Sequence, residues 1–91
     1  MNSQKKLKAI VSDGKNQNFY WGNNLSVSVE LNAMGLENPH YITIISDRVV
    51  AYFVAGKKEI FNFENNVIKN KFFKIEKVEK EDEIVFLVEI I

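Results

Sequence analysis

Ile84-Val85-Phe86-Leu87-Val88-Glu89-Ile90-Ile91 is an almost unbroken apolar run. A strand with one face in water alternates apolar with polar side chains. Here Ile84, Phe86, Val88 and Ile90 fill one parity, while Val85, Leu87 and Ile91 fill the other, interrupted only by Glu89. Both faces are therefore expected to be covered. Either the strand is the central stave of a small closed sheet, or it belongs to an interface, because a chain of 91 residues has little protein to spare as cover. Loop residues Met34 and Leu36 are the one internal alternative for that cover.

Working outward, period-two patterning dominates and no segment carries a helical apolar period for more than two turns. In residues 25–31, Leu25, Val27, Val29 and Leu31 share one face while Ser26, Ser28 and Glu30 share the other. Leu7 to Ser12 reads as a strand ended by the turn residues Asp13 to Asn18, and Phe19-Tyr20-Trp21 as another. Asn32 to Pro39 reads as a loop or a single helical turn. His40 to Ser46 and Arg48 to Ala55 are the next strands, joined by a tight turn at Asp47. Val49 to Val54 is apolar at both parities and so belongs in the middle of a sheet. Glu59 to Phe63 and Lys71 to Val78 follow, with Asn65-Asn66 and Asn70 marking a turn and Glu79 to Asp82 a charged hairpin tip. The expectation is a single all-β domain over residues 1–91. Its six to eight short strands form an antiparallel meander, closed as a barrel or folded as a sandwich, with little or no helix.

Composition bounds the function. A domain of this size buries only roughly 60–65% of its unfolded surface. With no cysteine, neither a disulfide nor a thiolate is available. The apolar stretch Ala9-Ile10-Val11 is too short for a signal segment and no later run is long enough for a membrane-spanning helix, so a cytoplasmic protein with no membrane partner is expected. Twelve basic and twelve acidic side chains balance, which argues against a duplex-binding protein. Locally the charge is uneven. The first fifteen residues carry four Lys and one Asp, and residues 76–91 carry two Lys, five Glu and one Asp, a separation that favours head-to-tail self-contact or a partner of mixed charge, where its usual meaning is only a solvated surface. The joint richness in Asn, Lys and Ile accompanies AT-rich coding sequence and suggests a low-GC bacterium or a phage as source.

His40 is the sole histidine and has no neighbouring nucleophile elbow or carboxylate pattern, so no catalytic residue is assigned. A single imidazole without thiolates is a poor zinc set, and Glu79-Lys80-Glu81-Asp82-Glu83 lacks the spacing of a calcium loop. The four glycines are scattered, so no phosphate cradle is present. No metal and no cofactor are expected, and the chain reads as a non-enzyme.

Three consecutive aromatics in a strand put Tyr20 on the face opposite Phe19 and Trp21, so at least one large ring leaves the primary core or covers a barrel end, where it could anchor a partner unless two layers bury all three. Phe19, Tyr20, Trp21, Val85, Leu87 and Ile91 are the candidate partner-binding residues. The expected function is that of a small protein-interaction module that self-associates as a homo-oligomer, of the accessory or inhibitor kind. The alternative is a small nucleic-acid or nucleotide-binding β barrel, with Tyr20 and Phe72 stacking on bases and Lys69, Lys71 and Lys74 meeting phosphate.

Overall fold

The computed structural model describes residues 5–13, 16–31, 40–46, 48–54 and 56–90; of Asp13, Leu31, His40 and Val54 only the backbone is described. The chain is all-β. Nine strands succeed one another: β1 (Lys6–Asp13), β2 (Asn16–Trp21), β3 (Ser26–Leu31), β4 (His40–Ile45), β5 (Val49–Val54), β6 (Lys57–Asn62), β7 (Val67–Lys69), β8 (Phe73–Glu79) and β9 (Glu83–Ile90). No helix occurs among the described residues.

The strands form two sheets, one of five in the order β2-β1-β9-β8-β7 and one of four in the order β3-β4-β5-β6. The second is a plain meander, as short connections dictate. The first is not. Its antiparallel pairs β1–β2, β7–β8 and β8–β9 are joined by a parallel pairing of β1 with β9, Lys6 opposite Glu83 through Ser12 opposite Glu89. β9 is thus the central stave expected of it, but of an open sheet. Neither sheet closes, so the fold is a sandwich and not a barrel.

Alternation along each strand builds the core between the layers. Leu7, Ala9 and Val11 of β1 lie beside Ile84, Phe86 and Val88 of β9, and across from them stand Val27, Val29, Ile42, Ile44, Val50 and Tyr52. Aromatic rings fill the widest part. Tyr52 and Phe73 meet edge-on at 5.1 Å, Phe61 and Phe73 at 5.8 Å, and Phe63 tilts against Phe86 at 5.6 Å. Such contacts add about 0.5–1.5 kcal/mol each beyond simple burial.

Several expected boundaries shift, each for a local reason. Asn16, Gln17 and Asn18 pair with Asp13, Ser12 and Val11, so the polar stretch read as turn is the start of β2. Leu25 precedes β3 and is exposed, because Asn23 folds the chain first: its Oδ1 accepts from the amides of Leu25 (2.7 Å) and Ser26 (2.9 Å). Asn65 and Asn66 are both left-handed (φ 53° and 68°) between Glu64 and Val67, whose mutual backbone bonds of 3.0 and 3.1 Å close a two-residue hairpin. That hairpin creates β7, a strand not anticipated from the sequence. Phe72 lies ahead of β8 instead of alternating within it, and a second Asn side chain causes this, since Asn70 Oδ1 accepts from Phe72 and Phe73 amides at 2.8 and 3.0 Å. Residues 32–39, Asp47 and Ile91 lie outside the described residues.

The chain crosses from the first sheet to the second at Gly22, whose amide donates to Leu7 O (3.0 Å). A Cβ there would collide with the Ser26 carbonyl oxygen and stand 2.6 Å from Val27 Cβ. Neither neighbour can yield without moving β3. Gly22→Ala is therefore expected to cost at least about 2 kcal/mol, read as a lower urea midpoint at unchanged m-value.

Burial pushes the Tyr52 phenol above its ordinary pKa of 10.0, and the Glu59 carboxylate adds to the effect. The folded chain then keeps this proton after the unfolded chain has released its own. The associated stability is complete below the unfolded value and disappears as pH rises toward the folded one. Unfolding free energy is expected to fall from about pH 9.5 upward, and Tyr52→Phe to flatten that fall, as measured by urea titrations at stepped alkaline pH.

Candidate functional site

The outer face of the five-stranded sheet follows directly from register. Lys8 of β1 stands between Trp21 of β2 and Val85 of β9, and Val85 is in turn opposite Val78 of β8. One row along, Phe19, Ile10, Leu87 and Glu76 are neighbours in the same strand order. The next row holds Gln17, Ser12, Glu89 and Lys74. Two apolar rows thus lie beside a polar one.

Exposure separates these residues. Trp21 is 71% exposed, Phe19 53% and Leu87 39%, whereas Val85 is only 4% exposed. Lys8 extends its stem along the sheet and holds Nζ 4.5 Å from the Trp21 ring centroid and 5.4 Å from that of Phe19. The ammonium fixes the two rings as one platform. A shallow cavity of about 300 Å³ opens beside them, lined by Ile10, Ser12, Gln17, Glu76, Leu87 and Glu89 among others.

Four of the six candidate partner-binding residues, Phe19, Trp21, Val85 and Leu87, therefore share one face. Tyr20 points the other way, as parity requires: its ring packs on the core and its hydroxyl donates to Glu30 O at 3.2 Å. Ile91 lies outside the described residues. Met34 and Leu36, the expected internal cover of this face, lie outside the described residues, and Leu87 stands open to water. Ile10 and Val78 join the face without having been anticipated. Each is a single apolar residue among polar ones of its own parity, Lys6, Lys8 and Ser12 on β1 and Lys74 and Glu76 on β8, so only the register reveals that they adjoin Leu87 and Val85.

The residues of the nucleic-acid alternative divide differently. Lys69 and Lys74 are cross-strand partners on the outer side of β7 and β8. Lys71 Nζ lies 5.2 Å from the Phe72 ring, which itself packs against Tyr52 at 5.4 Å. Tyr20 is on β2, the opposite edge of the sheet and the inner side, some four strand spacings or about 19 Å from β7. Phe72 and Lys71 meet, whereas Tyr20 stands apart from all three lysines.

The four-stranded sheet also has an apolar outer face, with Tyr41, Ile45, Phe53 and Ile60 exposed around a buried Ala51. His40 opens β4, paired through its backbone with Leu31 and Val54, and its side chain lies outside the described residues. Among the described residues no three His, Cys, Asp or Glu side chains gather to hold a metal ion, and no helix is long and apolar enough to cross a membrane. Comparison with protein-family models, with curated proteins and with solved structures returns no match.

The Lys8 platform makes a specific prediction. Lys8→Met keeps the apolar stem and removes the charge, so the loss of stability should be confined to about 0.5–1 kcal/mol, the value of an exposed cation–π contact. Denaturation followed by the fluorescence of Trp21, the sole tryptophan, measures it.

Proposed function

We propose that this protein is a non-enzymatic interaction module that self-associates through the outer face of its five-stranded sheet, in a cytoplasmic accessory or inhibitor role in a low-GC bacterium or a phage. One observation carries the reading: Phe19, Ile10 and Leu87 stand side by side on the outer face, and Trp21 and Val78 are exposed in the adjoining row, with no other described segment over them. Contiguous apolar area of this sort marks contact sites, and aromatic anchors are what such sites use. The platform is also rigid. Its backbone sits on paired strands, and the Lys8 ammonium beside both large rings favours their observed placement, which lowers the ordering cost of contact.

Covering one fully exposed large side chain contributes roughly 1.5–3 kcal/mol, so covering the open part of Trp21, Phe19 and Leu87 contributes about 2–5 kcal/mol per copy toward the cost of association. Light scattering of the purified chain over a wide concentration range is expected to show a mass rising above that of the single chain. Leu87→Lys, at an already exposed position, should weaken the association at least about tenfold while leaving thermal unfolding of the dilute chain unchanged. A constant single-chain mass at every concentration would remove the reading.

A further inference from the structure

The outer face is electrically divided along the seam between β1 and β9. On the β1–β2 side its outward positions carry Lys6 and Lys8 and no carboxylate, a charge of +2. On the other side β9 and β8 carry Glu83, Glu89 and Glu76 against Lys74, and β7 adds Lys69, that is 2 − 3 = −1. The apolar residues divide along the same seam. Aromatic rings and Ile10 lie on the basic side, and the aliphatic side chains Val85, Leu87 and Val78 lie on the acidic side.

Resting on the reading of this face as the self-association surface, we propose that the partner is a second copy of this chain, laid face to face about a two-fold axis that runs along the strands at the β1–β9 seam. Such an axis exchanges the two halves and keeps the rows. Lys6 then meets Glu83 of the second copy, Ile10 meets its Leu87, Trp21 meets its Val78, and Phe19 comes over the Glu76 wall of its cavity. A two-fold running across the strands would instead lay each half on itself, Lys8 on the side of the second copy that holds Lys6 and Lys8. Like charges brought together in that way are unfavourable, so charge selects the first axis.

Geometry and size agree with this choice. Rotation about an axis along the strands preserves their direction, which places the two sheets in the aligned packing class. An axis at the β1–β9 seam overlaps four strands, β2, β1, β9 and β8, and leaves β7 outside the contact; at about 4.8 Å spacing and about 26 Å of strand length these present roughly 500 Å² per copy, or about 1,000 Å² in total, the smallest area at which specific interfaces are found. The contact is isologous, each residue pair occurring twice, so every favourable or unfavourable change is doubled.

A charge exchange tests the arrangement. Lys6→Glu alone should weaken self-association at least about tenfold, because two like-charge contacts replace two opposite ones. Lys6→Glu combined with Glu83→Lys in one chain should restore it, since the exchanged chain still complements itself. The decisive arm is a mixture of the exchanged chain with isotope-labelled unaltered chain, read by native mass spectrometry. Each is expected to pair with its own kind and not with the other, an outcome that contacts within one chain cannot produce. Free mixing of the two would overturn the two-fold arrangement and leave self-association standing. Association that ignores all these changes but is lost on Ile60→Lys would move the contact to the four-stranded sheet and overturn it as well. A chain that is single at all concentrations would remove both the arrangement and the reading beneath it.

Discussion

The parallel pairing of β1 with β9 is the contact on which the rest of the molecule depends. Without it, β1 and β2 are an isolated hairpin, which is marginal in water, and the β7–β8–β9 meander loses the neighbour on its other side. Leu7, Ala9 and Val11 would leave the core at the same stroke. The pairing is also costly to form, because it joins strands from opposite ends of the described chain and must overcome the entropy of closing everything between them. Interlayer packing of Phe86, Phe73 and Tyr52 is what offsets that cost.

The same seam creates the outer surface. Lys6, Lys8 and Ile10 come to lie against Glu83, Val85 and Leu87 only because the two strands run in register. Core and contact face are two sides of one pairing, so a change that shifts the register by one residue would exchange them. The sheet edges are treated differently from the faces. β6 presents Lys57, Lys58 and Glu59, and β2 presents Asn16, Gln17 and Asn18, all exposed and polar. Such residues discourage edge-to-edge pairing.

Much of the architecture was legible in local pattern. The alternation at Val27 and Val29, the double-parity runs at Val49–Val54 and Ile84–Ile90, and the opposed directions of Tyr20 and Trp21 all follow from a period of two. What escaped was non-local or concealed by composition. No local signal announces that the first strand pairs in parallel with the ninth. Asn16 to Asn18 resemble a turn because their composition is that of a turn, yet pairing with β1 holds them extended. β7 is three residues long and depends on two left-handed asparagines. For the candidate surface, Phe19, Trp21, Val85 and Leu87 stand out as large apolar residues in conspicuous runs, whereas Ile10 and Val78 are solitary within polar parities. The outer face of the four-stranded sheet was concealed in the same way, since Val49–Val54 reads as a central strand whether or not anything covers its second face.

The order of synthesis gives the seam a temporal meaning. A chain made from its amino terminus has β1 and β2 present long before β9 exists, so β1 waits with one edge unsatisfied while the four-stranded meander is already free to form from adjacent strands. The first sheet is completed only when β9 slides in between β1 and β8. Until that insertion the two charge halves are not side by side, and nascent chains crowded on one message lack the surface by which finished ones would recognise each other. On the proposed self-association, late completion of this sheet would act as a timer that separates folding from assembly.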